Sequence, residues 1–320
     1  MKQAFVLGAG KGTRLKALTA TLPKPLIPLH QKPLITYAFD HLINAGFDRF
    51  MVNTHHLPDT FAPAFPEQSY RNCPLDFRFE EQLLETGGGI ANIADWLPQD
   101  ESFIIYNGDI LSDMDLAPAI EAHQSSSNLV TLVLRSKGEA LQIALDTKSG
   151  QSKQSGQISD IRNSRQTAAA TLYQFTGVYL VRPDFLAFLT PGKKESVIPA
   201  FLELIEQNQL GGVILDDGTW SDLGTRGTYL RASAALSTNG FPQYGKQAEQ
   251  QRIHPTAQIH PDAHICPLSS IGQDCVIAAG ARIDNSILWP GSQVEKQASL
   301  RNTILCSGQS AAGVLLDTDL

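Results

Sequence analysis

Glycine and basic residues are concentrated near the N-terminus, where they could bind an anionic ligand. The apolar run AFVL leads into the loop GAGKGTR, residues 8–14, and Lys24 follows in the stretch PKP. Glycines let the backbone approach a ligand closely and direct N–H groups at phosphate oxygens. Arginine adds a planar fork of donors and lysine a compact positive charge. The residue types favour a phosphate-binding loop, and the alternative is a plain strand-to-helix turn.

The spacing of the loop matches neither of two common phosphate-binding motifs. A Walker A loop requires GxxxxGK[ST], and here Thr13 stands where the second glycine should be. A dinucleotide fingerprint requires GxGxxG and an acidic residue after the second strand, but RFMVNT ends in Asn53 and Thr54. Other parts of the chain must therefore identify the ligand.

The elements that would position this loop are short apolar runs alternating with helix-like segments, up to about residue 236. The strand candidates are QAFVLG, RFMVNT, DFRFEE, SFIIYNGD and NLVTLVLR, and the helix candidates are LITYAFDHLINAG, GGGIANIADWL and DLAPAIEAHQ. This alternation predicts an α/β fold with a mixed, mostly parallel sheet. The stretch LDTKSGQSKQSGQISD predicts two further strands joined by a turn. Asp109 ends one apolar run, at the sheet edge where such folds bind ligands.

A different pattern begins after a linker-like stretch at residues 237–251. Isoleucine recurs every six residues from Ile253 to Ile283, a period that is typical of hexapeptide β-helix repeats. The pattern loosens at Trp289 and resumes near Val294. The sequence therefore predicts a domain over 1–236, a linker over 237–251, and a short left-handed parallel β-helix with its tail over 252–320.

Composition excludes several classes of protein. The chain has 320 residues and a net charge of −7, which argues against a nucleic-acid-binding surface. The four scattered cysteines form no CxxC pair, so we expect no zinc site or disulfide framework, and a reducing cytoplasm fits them. Neither a signal peptide nor a long apolar run is evident, so we expect no membrane span.

Five motifs in order resemble those of the sugar-1-phosphate nucleotidylyltransferases. They are LGAGKGTRLKALT with PKPLIPL, then LLETGGGI, YNGD, FTGVYL and WSDLGT. The resemblance covers roughly residues 1–235 and implies a Rossmann-like nucleotidyltransferase fold. ETGGGI and WxDxGT are most similar to N-acetylmuramate-1-phosphate uridylyltransferases, whereas the hexapeptide tail looks like that of mannose-1-phosphate guanylyltransferases.

The resemblance implies a reaction and a role for each candidate residue. A sugar 1-phosphate would attack a nucleoside triphosphate and release pyrophosphate, with Arg14 and Lys24 on the phosphates and Mg²⁺ held by Asp109 and Asp222. Because the sugar phosphate is already a nucleophile, positioning and charge neutralisation suffice for catalysis. The implied nucleotide-binding residues are Leu7, Gly8, Ala9, Gly10, Gly12, Thr13, Glu80, Thr86 and Gly87.

Base and sugar selection remain open at this stage. A carboxylate at Glu80 would accept from uracil or guanine, so it leaves UTP and GTP as candidates, with UTP favoured. The sugar phosphate is expected at Asn107, Arg162, Thr176 and Gly177. The family's EKP motif is replaced by SDIRNSR, so Arg162 or Arg165 would supply the positive charge, and a missing glutamate would suit an acidic sugar.

Two alternatives and one assembly question accompany this prediction. The enzymatic rival uses GTP with mannose or heptose 1-phosphate, and the rival of another class is a non-catalytic relative that binds a nucleotide sugar. A three-coil β-helix has an open end that needs covering. Either the tail covers it through Val314, Leu315 and Leu316, or a second copy of the chain does. Self-association through the β-helix is the favoured expectation, with an independently active catalytic domain.

Overall fold

The chain folds into two compact units. A computed structural model describes residues 1–147, 154–166 and 171–320. The first unit contains Met1–Gly10, Ala38–Ile110 and Met114–Trp220, and the second contains Lys11–Tyr37, Leu111–Asp113 and Ser221–Leu320. Since one chain segment runs through Gly10 and Lys11, the loop 8–14 contributes residues to both units.

The described strands are short in the C-terminal part and longer before it. They are β1 (Gln3–Leu7), β2 (Pro28–Leu29), β3 (Lys32–Pro33), β4 (Arg49–Thr54), β5 (Ser69–Tyr70), β6 (Cys73–Phe79), β7 (Phe103–Asn107), β8 (Ile110–Ser112), β9 (Val130–Arg135), β10 (Leu141–Asp146), β11 (Ser155–Ile161), β12 (Leu172–Val181), β13 (Leu210–Ile214), β14 (Trp220–Asp222), β15 (Gln258–Ile259), β16 (His264–Ile265), β17 (Ser270–Ile271), β18 (Val276–Ile277), β19 (Arg282–Asp284), β20 (Ile287–Leu288), β21 (Gln293–Val294), β22 (Ser299–Arg301), β23 (Ile304–Leu305), β24 (Ser310–Ala311) and β25 (Val314–Leu316).

The described helices include those expected from the sequence. They are α1 (Ile35–Asn44), α2 (Phe61–Ala64), α3 (Glu85–Ala91), α4 (Ala117–Ser125), α5 (Ile198–Glu206), α6 (Arg226–Ser237) and α7 (Gly245–Gln250), with short 3₁₀ turns at Thr13–Thr19, Lys24–Leu26, Pro58–Thr60 and Pro183–Phe188. Within the described ranges, none of these helices has both the length and the apolar character needed to cross a membrane.

A ten-stranded sheet forms the first unit, in the order β10-β11-β13-β9-β12-β7-β1-β4-β6-β5. Strands β7, β1, β4 and β6 are parallel, whereas β12 runs antiparallel to β7, β9 and β10. The predicted mixed sheet is confirmed. Its parallel part is smaller than expected, because apolar runs do not reveal the antiparallel insertion of β12. The turn predicted between β10 and β11 falls at 148–153, outside the described residues.

The parallel strands bring the functional motifs of the first unit to one sheet edge. Strand β1 ends at Leu7, which pairs with Asn107 at the end of β7, and β4 on the other side ends at Thr54. The carboxyl ends of parallel strands share an edge. The loop after β1, Asn53 and Asp109 therefore follow neighbouring strands of that edge.

The C-terminal part of the second unit is a parallel β-helix. Its three faces are the sheets β15-β18-β21-β24, β16-β19-β22-β25 and β17-β20-β23, consistent with the predicted left-handed β-helix. The isoleucines of the six-residue repeat point inward, and Ile271, Ile277 and Ile283 are fully buried with Leu300 and Leu305. The period of six thus reports one buried side chain per face, as expected.

The β-helix also shares a hydrophobic cluster with the N-terminal segment of its own unit. Ile287, Trp289 and Ile304 pack in one buried cluster with Leu15 and Tyr229. This packing argues against an independently active domain without residues 252–320, because their removal would expose the cluster. The apolar face under residues 11–37 would then be left in water.

Two segments differ from what their composition suggested. The linker-like stretch 237–251 contains helix α7, and its Phe241 and Tyr244 are buried. The Tyr244 hydroxyl donates to the carbonyl of Ser112 at 2.8 Å.

The tail does not fold back over the last coil. It continues the β-helix, because β25 pairs in parallel with β22 and leaves Val314 and Leu316 exposed.

Candidate active site

Asn53 shapes the start of the glycine-rich loop in the first unit. Its side-chain oxygen accepts hydrogen bonds from the backbone N–H of Gly8 at 2.8 Å and of Ala9 at 3.1 Å. Its side-chain nitrogen donates to Glu80 Oε1 at 2.7 Å. On the other flank, Gly108 N–H donates to the carbonyl of Leu7. The loop therefore begins from a backbone that is already held on both sides.

Glu80 is a structural partner of Asn53 in this arrangement. The carboxylate is only 2 % exposed, and its second oxygen accepts from the N–H of Leu84 at 2.9 Å. Both oxygens therefore have protein donors. This geometry does not support the expected contact of Glu80 with a base. Instead, the carboxylate of Glu80 fixes the segment that leads into α3.

The three glycines of α3 allow two close approaches of the chain. A Cβ on Gly88 would lie 2.2 Å from the carbonyl oxygen of Lys193, and Gly88 N–H donates to the carbonyl of Glu195. On another side, a Cβ on Gly89 would lie 3.1 Å from both Asn53 Nδ2 and Glu80 Oε1. Packing against the backbone of Lys193 thus requires glycine at position 88, and position 89 leaves little room beside Asn53 and Glu80.

A cavity of about 260 Å³ opens beside α3 and the end of β7, entirely within the first unit. Its polar lining comes from Thr86, Asn107, Arg162, Tyr179 and Ser196. The rest of the wall is apolar: Leu132, Ile143, Ile161, Phe175, Val197, Ile198 and Phe201. A mostly apolar cavity with a few converging polar groups is the usual form of a small-molecule site.

Tyr179 stands out in this cavity because its hydroxyl is buried and has no hydrogen-bond partner among the described residues. Burial raises the pKa of this phenol, so it stays neutral and can donate. A buried hydroxyl without a partner costs free energy, about 1–3 kcal/mol.

The other residues expected at the sugar phosphate divide into two groups. Gly177 has φ +80°, and a Cβ there would lie 2.7 Å from Asn107 Nδ2, so these two residues adjoin. Thr176 is buried, and its hydroxyl donates to the carbonyl of Val133 at 2.8 Å, so its side chain is committed to the neighbouring strand β9. Arg165 is paired with Glu206 at 3.2 Å, which leaves Arg162 as the arginine at the cavity.

Asp109 follows β7 next to a buried tyrosine. Tyr106 shares a hydrogen bond of 2.9 Å with His41 Nδ1, whose Nε2 lies 2.6 Å from the carbonyl of Met114. Since that carbonyl can only accept, His41 carries its proton on Nε2 and Tyr106 donates to Nδ1. Burial raises the pKa of Tyr106, and the negative charge of Asp109 adds to the shift.

Lys24 and Asp222 meet in the second unit. The ammonium of Lys24 lies 4.0 Å from Asp222 Oδ1, and Lys24 is only 9 % exposed between two buried prolines. The Asp222 side chain is about half exposed. A buried lysine held this way is a fixed positive charge rather than a mobile surface group.

Arg14 lies near the motif WSDLGT, which carries Asp222. A Cβ on Gly224 would lie 2.7 Å from Arg14 Nη2, so the guanidinium rests against the backbone of WSDLGT. Gly12 has φ +60°, and a Cβ there would lie 2.8 Å from Thr19, which makes the turn before Arg14 difficult for other residues. Thr13 and Arg14 are exposed. The second unit therefore collects two cations and one carboxylate.

The acidic residues can be tested against the expected Mg²⁺ by their donor chemistry. The described residues contain no group of three or more His, Cys, Asp or Glu side chains arranged for a metal. Carboxylate oxygens are hard donors, and Mg²⁺ is usually held by one or two of them together with substrate phosphates. Asp222, accessible and carboxylate-bearing, fits such a role.

Comparison with known families decides the assignment of the chain. The nucleotidyl transferase family model matches residues 3–239. This chain belongs to the nucleotidyl transferase family. A second model, the GMPPB C-terminal domain, matches residues 248–313 of the nucleotidyl transferase, the part that forms the β-helix. The family expected from the five motifs is confirmed.

Relatives of this nucleotidyl transferase cover nearly its whole length. The mannose-1-phosphate guanylyltransferase of Mycobacterium tuberculosis is 28% identical over 298 residues, covering 91% of this chain and 81% of the relative. The UTP–glucose-1-phosphate uridylyltransferase of Synechocystis sp. is 24% identical, covering 93% of this chain and 85% of the relative.

Solved structures share the fold of the nucleotidyl transferase. A UDP-glucose pyrophosphorylase from Acinetobacter baumannii superposes with a TM-score of 0.65 at 17% identity, covering 78% of this chain and 98% of that one. A UDP-glucose pyrophosphorylase complexed with UDP-glucose gives 0.63 at 19% identity, covering 75% and 99%. At this identity the likeness concerns the fold.

Two residues of the nucleotidyl transferase site are poorly marked in the sequence. Asn53 is visible only as a polar residue that ends an apolar strand, where a dinucleotide fold would carry an acid. Tyr179 lies in the motif FTGVYL, but apolar residues flank it on both sides, as they would flank a core residue. A polar side chain at a buried strand position is the signal that could have marked both.

Proposed function

We propose that this nucleotidyl transferase joins a sugar 1-phosphate to the nucleotidyl group of UTP. A phosphate oxygen of the sugar 1-phosphate forms a bond to the α-phosphorus, the bond from that phosphorus to the β-phosphate oxygen breaks, and pyrophosphate leaves. The observation that carries the proposal is the buried Lys24 ammonium, 4.0 Å from Asp222 and in the same unit as Arg14. Such a group of charges suits a reaction among phosphates.

Each charged residue has a separate task in the proposed reaction. Arg14 binds the β- and γ-phosphates with its planar fork, and Lys24 neutralises charge that develops as the α-phosphorus reacts. Asp109 and Asp222 would hold Mg²⁺, which when bound neutralises charge on the phosphates. The backbone of Gly8–Gly10 and Gly12 allows the nucleotide to approach the loop closely.

The first-unit cavity is the proposed place for the sugar. Its volume of about 260 Å³, its apolar wall and the hydroxyl of Tyr179 fit a sugar that carries an apolar substituent with an oxygen acceptor. Arg162 adds a positive charge at this cavity, which suits an acidic or phosphorylated group. N-acetylmuramate 1-phosphate combines these features, because it carries an acetyl group and a carboxylate.

GTP with mannose 1-phosphate is the second candidate, and a specific finding favours it. The C-terminal match is to the GMPPB C-terminal domain, and the Mycobacterium tuberculosis relative is named a mannose-1-phosphate guanylyltransferase. The commitment of Glu80 to Asn53 and Leu84 weakens the argument that limited the base to uracil or guanine, an argument that did not separate these two candidates.

A matrix of nucleoside triphosphates against sugar 1-phosphates tests the proposal. We expect pyrophosphate release with UTP and N-acetylmuramate 1-phosphate, and its loss when EDTA removes divalent cations. Best turnover with GTP and mannose 1-phosphate would establish the second candidate instead. No pyrophosphate with any pair, while a nucleotide sugar binds, would establish a non-catalytic relative.

Replacing Tyr179 tests the place of the sugar. We expect Tyr179→Phe to lower kcat/KM for the sugar 1-phosphate about tenfold, the cost of one buried hydrogen bond, with the KM for the triphosphate unchanged. Folding stability should stay equal or rise, because the variant removes a hydroxyl that has no partner. Steady-state kinetics and thermal unfolding measure the two effects. Tyr173→Phe, on the same strand but outside the cavity, is the control, and an equal loss there would refute the assignment.

A further inference from the structure

Trp289 interrupts the isoleucine pattern of the β-helix and makes a specific contact outside it. The indole is 1 % exposed and packs in the cluster that includes Leu15 and Tyr229. Its Nε1 donates a hydrogen bond to the hydroxyl of Tyr229 at 3.0 Å. An indole N–H can only donate, so the hydroxyl of Tyr229 is the acceptor.

Tyr229 also forms a hydrogen bond with the segment that carries Lys24. Its hydroxyl donates to the carbonyl of Pro28. Burial raises the pKa of Tyr229, so the phenol remains neutral and keeps the proton that it donates. Pro28 follows the turn Lys24–Leu26, in which Ile27 N–H donates to the carbonyl of Lys24. The β-helix therefore holds the backbone just after the catalytic lysine.

Arg226 makes a second connection, next to the motif that carries Asp222. It is the first residue of α6, and its Nε donates to Asp319 Oδ1 at 2.6 Å. Its Nη2 donates to the carbonyls of Asn302 and Thr318. The last turns of the β-helix thus anchor the helix that follows WSDLGT.

A third connection joins the hairpin formed by β2 and β3, which begins at Pro28, to the first coil of the β-helix. Gln31, in the turn between β2 and β3, donates from Nε2 to the carbonyl of Ile271 at 2.7 Å. Three hydrogen-bonded links, at Trp289, Arg226 and Gln31, therefore connect the β-helix with the two short segments that bear Lys24 and Asp222.

We propose that the β-helix is a positioning element of the phosphate-binding residues, and that Trp289 and Arg226 set the separation of Lys24 from Asp222. The inference rests on the proposed function. Both charged side chains sit on short segments, a three-residue turn and a three-residue strand, so contacts from outside each segment contribute to their placement. Charge stabilisation in a transition state requires placement within about 0.5 Å, so a loosened anchor affects catalysis before it affects substrate binding.

The test removes hydrogen bonds of this contact while keeping an aromatic ring at each position: Trp289→Phe removes the bond to Tyr229, and Tyr229→Phe removes the bonds to both Trp289 and Pro28. We expect Trp289→Phe and Tyr229→Phe to lower kcat about tenfold and to change the KM for the triphosphate little. Amide hydrogen exchange at Ile27 and Leu34, whose N–H groups donate to Lys24 and Ile27, should become faster in both variants. Ile283→Val is the control, because it destabilises the β-helix core without touching either segment.

The outcomes separate positioning from general stability. A fall in kcat together with faster exchange, both absent in Ile283→Val, supports the inference. Turnover within about twofold of the wild type, or a loss no greater than in Ile283→Val, overturns it. If Trp289→Phe does not fold, Tyr229→Phe decides. If the wild type transfers no nucleotidyl group, the proposed function fails, and the exchange at Ile27 and Leu34 alone decides whether Trp289 positions this segment.

Discussion

Asp222→Asn should reduce turnover on the order of 10²–10³-fold while the protein stays folded, the usual cost of losing a preorganised electrostatic group. The amide keeps the shape of the carboxylate but removes its charge, and Mg²⁺ prefers charged oxygen ligands. Lys24, 4.0 Å away, would also lose this counter-charge. Asp109→Asn should have a similar effect, because the proposal assigns the metal to both carboxylates.

The dependence of turnover on Mg²⁺ concentration measures this effect. We expect both variants to require more Mg²⁺ for half-maximal rate than the wild type, because an amide oxygen is a weaker ligand. Asp217→Asn is the matched control, since Asp217 is an exposed aspartate a few residues upstream. Near-normal Mg²⁺-dependent turnover in either variant would remove that residue from the list of principal ligands.

The sequence singles out charged residues through their motifs, but it does not show the contacts that hold them. The motifs singled out Arg14, Lys24 and Asp222, which the structure places in the same unit, and their roles stay predictions. The β-helix was identifiable because a period of six differs from the helix period of 3.6 and is longer than the strand period of two. The charged motifs and the isoleucine period are both local patterns in the sequence. Each can be recognised without knowing which residues pack against it.

The supporting contacts could not be predicted because they join distant parts of the chain. Asn53 and Glu80 are 27 residues apart, and Trp289 lies 60 residues from Tyr229. Nothing in either local pattern specifies the partner. Glu80 shows the consequence: its residue type suits base recognition, but burial against Asn53 and Leu84 gives it a structural role. The same reasoning explains why the stretch 237–251 looked like a linker although Phe241 is buried.

Lys24→Met should lower kcat and kcat/KM equally, by about 10²-fold, because its charge acts on the transition state rather than on bound substrate. Methionine fills a similar volume, and the flanking Pro23 and Pro25 keep the backbone turn. Arg14→Ala should instead raise the KM for the triphosphate and leave kcat closer to normal, because this exposed side chain binds the β- and γ-phosphates rather than the α-phosphorus that is attacked. Steady-state kinetics with varied triphosphate separates the two roles.

Charge position, not charge alone, explains the expected loss at Lys24. Lys24→Arg should therefore restore little activity, because a wider guanidinium does not fit a site that leaves lysine 9 % exposed. Lys16→Met, which removes an exposed lysine from the same unit, should leave kcat unchanged. A change of KM alone in Lys24→Met would assign the lysine to ground-state binding.

The coupling to Asp222 gives a further check. Because the two charges lie 4.0 Å apart, the losses in Lys24→Met and Asp222→Asn should be less than additive when the variants are combined.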